Sequence, residues 1–287
     1  MSGRLRRRYE RLLFTYPAAY RRAHGDEIIS TLLEAARPDQ RLPAPRETAS
    51  LLLGGLRTRA HQAARQSPRR LWADGLQLGV LLIVLVNLGH ALQTPFPPRF
   101  PLWIALVAVA ALAVLRGWTR TALVVNAAAA LAAARPLLPH VGLPWWLPGY
   151  GDWSAVARYA VPVAVLAVLA WPRVGSLRAR SWWWLVLPVA TALPLEGDAW
   201  ALAQAGLQVG LLLVVLVVAV RSLDPRPAIA AAVYLAPGLL YAAEESTTAG
   251  APSTLALGYW AVLAALMVAL AAAAWRIRRQ QLTQRQP

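Results

Sequence analysis

The chain has 287 residues, of which 58% are hydrophobic and none is cysteine, and it carries a net charge of +16. That apolar share with a mean hydropathy of +0.45 excludes an ordinary soluble domain, and the missing thiols exclude disulfide frameworks, thiol nucleophiles and cysteine metal sites. Of the 29 basic residues, all arginine, 15 precede residue 74, where they face six acids. The positive charge is therefore gathered in front of the first long apolar run, and has to be interpreted from that position.

Residues 1–73 read as a water-facing helical domain. No apolar stretch in them is long enough for the hydrophobic region of a secretory signal peptide. Leu5, Tyr9, Leu12, Leu13 and Tyr16 fall on one stripe of a first helix, with the arginines facing away. Pro17 suits the first turn of a second helix, whose buried side would carry Tyr20, Ile28, Ile29, Leu32, Leu33 and Ala36. A kink or restart is expected at Gly25, ahead of Asp26 and Glu27. Arg37-Pro38-Asp39 ends this helix, and Leu42-Pro43-Ala44-Pro45 leads to a third, with Glu47 in its first turn. Leu51, Leu52, Leu53, Leu56, Ala60 and Ala63 are its expected apolar face. No helix-turn-helix spacing or base-reading face accompanies the arginines, so direct nucleic-acid binding is not expected. A basic helix beside a bilayer attracts anionic lipid at about 1 kcal/mol per Arg.

From residue 74 to 275 the chain alternates apolar runs with short charged loops, and residues 276–287 form a basic tail. A hydrocarbon core about 30 Å thick takes roughly 20 helical residues to cross. Candidate spans lie at 74–92, 101–115, 119–135, 154–171, 181–195, 199–220, 227–243 and 254–275. The fold class is thus all-α, a polytopic helical membrane protein of about eight crossings, with a range of six to eight, preceded by a three-helix domain. With the N-terminus inside, the inner connections hold Arg116 and Arg120, then Arg173, Arg178 and Arg180, then Arg221 and Arg226, then Arg276, Arg278, Arg279 and Arg285. The outer ones hold Arg99, Arg135 and Arg158, with Asp152, Glu196, Asp198, Glu244 and Glu245. This asymmetry predicts that both termini are cytoplasmic. Trp145, Trp146, Trp171, Trp182, Trp183, Trp184 and Trp275 flank the runs, as interfacial anchors do.

Within or near the spans the polar residues are Asn87, His90, Asn126, Gln204 and Gln208. Amides there are expected to hydrogen-bond between helices. With almost no ionisable group at mid-span, an ion-coupled transporter lacks its usual carrier. The four exported acids Glu196, Asp198, Glu244 and Glu245 would hold a cation only if their loops converged. No nucleotide-binding glycine loop, HExxH motif or nucleophile elbow is present, and His24, His61, His90 and His140 have no metal spacing. No enzyme activity, cofactor or metal is expected.

The run Leu13-Phe14-Thr15-Tyr16-Pro17-Ala18-Ala19-Tyr20-Arg21-Arg22, then His24-Gly25-Asp26-Glu27-Ile28 and Thr31-Leu32-Leu33-Glu34-Ala35, resembles the LYPxxYRxxxGxEMxxxLxE segment of actinobacterial multi-pass proteins. Ile28 stands where that pattern has Met. Such segments belong to the HAAS group of helical signalling domains and the related permease-prefix domains. The resemblance covers about the first 65 residues. It implies a cytoplasmic module that works with a PadR-like transcription regulator, or that precedes a permease. Tyr16, Pro17, Tyr20, Arg21, Gly25 and Glu27 would shape that module and its docking face. The leading expectation is an integral membrane signalling or regulatory protein in the lipid bilayer. The alternatives are a permease-like subunit served by an ABC-type ATPase in trans, and a purely structural membrane protein.

Overall fold

The computed structural model describes residues 2–37, 40, 42–64, 68–93, 101–142, 150, 152–170, 177–191, 198–222, 224–248 and 254–283. Among them the chain forms eleven α-helices and no strand.

The first three helices are α1 (Ser2–Leu13), α2 (Ala18–Glu34) and α3 (Pro45–Ala64). They close on a small core of Leu5, Tyr9, Leu13, Tyr16, Ile29 and Leu51. The stripe expected on α1 is the face that is buried. Two expectations change. Pro17 stands one place before α2 as its N-cap residue, and its carbonyl accepts the Arg21 N–H at 3.0 Å. No restart occurs at Gly25, because α2 runs unbroken from Ala18 to Glu34. On α3 only Leu51 of the expected leucines is buried, whereas Leu52 is exposed. The reason is a glycine pair. A methyl on Gly54 would strike the Tyr16 hydroxyl, and one on Gly55 would lie 3.0 Å from the Thr15 carbonyl carbon. The face of α3 turned to the module is therefore Leu51, Gly54 and Gly55, at helical spacing, and the backbone itself packs against the α1–α2 turn. The side chains of Ala60 and Ala63 lie outside the described residues.

The rest of the chain is a bundle: α4 (Pro68–Gln93), α5 (Pro101–Arg116), α6 (Thr119–Ala133), α7 (Trp153–Leu169), α8 (Val186–Thr191), α9 (Asp198–Ser222), α10 (Arg226–Thr248) and α11 (Thr254–Thr283). Among the described residues four stretches are long and apolar enough to cross a membrane: Arg69–Gln93, Leu202–Ser222, Arg226–Glu244 and Ala256–Ile277. Helices α5, α6 and α7 are apolar but shorter; 16 residues of α5 rise about 24 Å. The expected span 181–195 begins as a 3-10 turn at Trp182–Leu185 and passes into α8, six residues long. Its end, with Pro194, lies outside the described residues, as do Trp145, Trp146, Trp171, Arg99, Arg173, Arg285 and Glu196.

On α9 only 11% of the span is buried, and Leu207 and Val214 are 62% and 58% exposed. An outer surface as apolar as the interior is the mark of a helix meant for lipid, since water would leave that surface uncovered at a large cost.

Helix α4 is central. It packs along α10 through Gly75 and Gly79, spaced one helical turn apart: a methyl on Gly79 would come within 2.6 Å of the Val233 Cβ and 3.0 Å of the Ala230 carbonyl oxygen. Small residues at this spacing let two membrane helices approach backbone to backbone. One apolar cluster joins α4 with α5, α6 and α7, and a second joins α9, α10 and α11. The α5–α6 turn needs Gly117 twice over. Its φ is +75°, and a Cβ there would lie 2.6 Å from the Leu177 carbonyl oxygen.

Candidate functional site

The module is assembled around Tyr9 and the aromatic turn after it. Tyr9 is fully buried, and its hydroxyl donates to Glu47 Oε2 at 2.8 Å. The same carboxylate oxygen accepts the Ala44 N–H at 3.1 Å, the return half of a capping box at the start of α3. Burial and the neighbouring carboxylate push the Tyr9 hydroxyl up to about 12. The hydrogen bond from Tyr9, followed by that from Ala44, holds Glu47 below the usual carboxylate range.

Of the six residues expected to shape the module, Tyr16 is buried and stacks on Tyr20 with centroids 5.4 Å apart; Tyr20 in turn meets His24 at 4.8 Å. The Arg21 guanidinium lies 4.4 Å from the centre of the exposed Phe14 ring. Gly25 is shielded from solvent, yet a methyl added to it would meet no atom within 4 Å. Glu27 is exposed, and its carboxylate is 3.6 Å from His24 Nδ1. Tyr16, Tyr20 and Arg21 with Phe14 are thus drawn together at the α1–α2 turn, while Gly25 and Glu27 lie farther along α2.

The module is bonded to the bundle. Arg57 Nε on α3 donates to the Arg221 carbonyl at 2.9 Å, in the last turn of α9, where unpaired carbonyls favour a cation. Beside this junction Asp74 joins three parts of the chain. Its Oδ1 is 2.6 Å from Arg180 Nη2, and its Oδ2 is 2.9 Å from Arg226 Nη1. Asp224 accepts the Arg226 N–H at 3.0 Å. Two carboxylates and two guanidiniums make the group neutral, and its side chains are only 16–21% exposed. Burial pulls the Arg180 guanidinium down, against the pull of Asp74, and pushes the Asp224 carboxyl up. One turn deeper, fully buried Gln77 donates through Nε2 to the carbonyls of Val114 and Arg178, at 3.1 and 2.9 Å. The Arg180 backbone N–H donates to the Leu115 carbonyl at 2.8 Å. The open end of α5 is thereby satisfied by a side chain and a loop. Sequence reasoning passed over Gln77, which lies within the first apolar run.

The amides divide. Asn87 bonds α4 to α7 through the Arg158 carbonyl at 3.0 Å, and Gln208 on α9 accepts from the Tyr259 hydroxyl on α11 at 2.9 Å. These two do join helices. Asn126 donates within its own helix to Ala122, and Gln204 is exposed.

A partly open cavity of about 230 Å³ lies between α4, α7, α9, α10 and α11. Asn87, Arg158, Gln208, Tyr234 and Tyr241 supply its polar lining. Arg158, expected in an outer connection, stands instead in the second turn of α7 and lines this space. Asn87 is thirteen residues past Asp74 on α4, so the cavity and the ion group are separated by about 20 Å of helix.

Of the four acids expected in the outer connections as a cation site if their loops converged, only Glu244 has its side chain among the described residues. The Glu244 carboxylate instead accepts the backbone N–H groups of Trp153 and Ser154, at 2.9 and 2.6 Å, and so caps α7 from α10. Asp152, the local cap residue, makes no such bond. The side chains of Asp198 and Glu245 lie outside the described residues. Among the described residues no group of three or more His, Asp or Glu side chains is arranged to hold a metal. No family model matches this chain, and neither a curated protein nor a solved structure does.

Proposed function

We propose that this chain is a multi-pass cell-membrane signalling or regulatory protein of about eight crossings, with both termini cytoplasmic. Its module over residues 1–73 docks a cytoplasmic partner, a PadR-like transcription regulator, and the bundle anchors the module and reports the state of the membrane to it. The observation that carries this reading is the bond from Arg57 to the Arg221 carbonyl, with the ion group of Asp74, Arg180 and Arg226 beside it. A module tied to the ends of bundle helices moves when they move. Exposed Phe14, topped by Arg21, offers the partner an apolar and cationic surface of the kind that dominates protein interfaces. The arginine asymmetry of the loops supports the orientation. Full-length protein carrying a photo-crosslinking residue at position 14 should capture a transcription regulator in its native cells. Capture of no regulator and no transporter component removes the proposal.

The cavity favours a second reading, a permease-like subunit driven by an ATPase in trans. Pro237, inside α10, lines that space and interrupts the helix's hydrogen bonding there. Capture of an ABC-type ATPase by the same cross-linker would select it.

A further inference from the structure

We propose that the cavity between α4, α7, α9, α10 and α11 is a binding site for an oxyanion, a phosphate or carboxylate group, recognised by Arg158. The inference goes beyond the docking reading and does not depend on it.

Among the described residues that line the cavity, Arg158 is the one that carries a full charge. It is half-buried and forms no ion pair with any described residue. The acid that could have served it, Glu244, is committed to the N-terminus of α7. A guanidinium in an apolar bundle is costly unless it is paired or hydrated, and it presents a planar fork that matches a carboxylate or phosphate. The rest of the lining suits such a guest. Tyr234 offers a hydroxyl, and Gln208, its oxygen already taken by Tyr259, offers its Nε2 donors. Asn87 fixes the α7 backbone at Arg158 itself. Ile83, Val86, Leu235 and Leu263 make the remaining wall apolar.

Size limits the guest. A space of about 230 Å³ is below the roughly 300–1,000 Å³ of sites that enclose a drug-sized molecule. It holds a head group with a few methylenes, and the open side lets a longer chain run out into lipid. Two sources share this chemistry, the head of an anionic amphiphile and a free oxyanion.

The test uses the full chain in nanodiscs of phosphatidylcholine, titrated with radiolabelled decyl phosphate against empty discs. Saturable binding to one site is expected, weakened about tenfold or more by Arg158→Gln and less by Arg158→Lys, which keeps the charge but loses the fork. Leu263→Trp, which fills the space while leaving Arg158 in place, should abolish the saturable part and decides the matter if Arg158→Gln does not fold. Displacement of the label by millimolar inorganic phosphate assigns the site to a free oxyanion; resistance to it assigns the site to an amphiphile head. Either supports the site. No saturable binding, wild-type affinity in Arg158→Gln or Leu263→Trp, or equal competition by neutral decanol would overturn it.

Discussion

Replacing Asp74 with Asn removes one negative charge from a group that holds three segments together. The carboxylate lies 2.6 Å from Arg180 and 2.9 Å from Arg226, and all three side chains are 16–20% exposed. With charge centres about 4 Å apart and an effective dielectric near 20, each attraction is about 4 kcal/mol gross. Most of that is cancelled by the cost of drying the charges, so the gross sum overstates the effect. Breaking a buried pair by removing one partner costs about 3–5 kcal/mol, and breaking a fully exposed pair about 0–1. The low exposure puts this group nearer the first case, and Asp224, 3.8 Å from Arg226, softens the loss on one side. The expected destabilisation is about 2–4 kcal/mol. Unfolding by sodium dodecyl sulfate in mixed micelles, followed by circular dichroism, measures it. A double-mutant cycle with Arg180→Gln should give a coupling energy of about 1–3 kcal/mol. A loss below about 0.5 kcal/mol, or strictly additive single mutants, would refute the claim that Asp74 ties the ends of the bundle together.

Gly25→Ala should stabilise the module by about 0.5–1 kcal/mol, because α2 is continuous there and the new methyl meets no neighbour; a lower melting point would contradict this. Gly79→Ala should cost about 1–3 kcal/mol in the same micelle assay, since its methyl overlaps Val233 on α10; unchanged unfolding would mean that the helices can separate freely. Tyr9 has its folded value raised to about 12, so the stability it contributes is intact below its unfolded value near 10 and is lost as pH rises toward 12. Glu47 is depressed, so its contribution is present above the usual carboxylate value and is lost as pH falls below it. Tyr9→Phe should flatten the alkaline limb of the module's pH–stability curve, and a limb of unchanged slope would place the titration elsewhere.

The helical class and the stripe on α1 were legible because apolar spacing alone decides them, and Leu5, Tyr9 and Leu13 are buried as that spacing requires. The face of α3 was not. Leucine is a strong signal and glycine a silent one, so Leu52 and Leu53 drew the expected face while Gly54 and Gly55 make the close approach. Gln77 escaped notice for a related reason: its partners are backbone carbonyls at Val114 and Arg178, far away in sequence and carrying no side-chain pattern. Arg158 looked like loop charge because positive residues collect in connections, yet α7 starts at Trp153. The residue beside which it packs, Asn87, gave a better signal, since an amide inside an apolar run usually bridges helices, and it does. His90 shares that polarity but not that role: it is exposed in the last turn of α4, with Nδ1 3.0 Å from the Val86 carbonyl oxygen.

The Glu244 cap has a consequence for how the chain is made. Helix α7 leaves the ribosome long before its capping carboxylate, which is 90 residues downstream of Ser154. Asp74 waits longer still for Arg226. The earlier helices are therefore made with an unfinished end and an unfilled glycine seam, and α10 completes both as it arrives. A nascent chain that stops before α10 would present these as open surfaces, recognisable to whatever surveys unfinished membrane proteins, whereas one extended past Glu244 would conceal them in a single step.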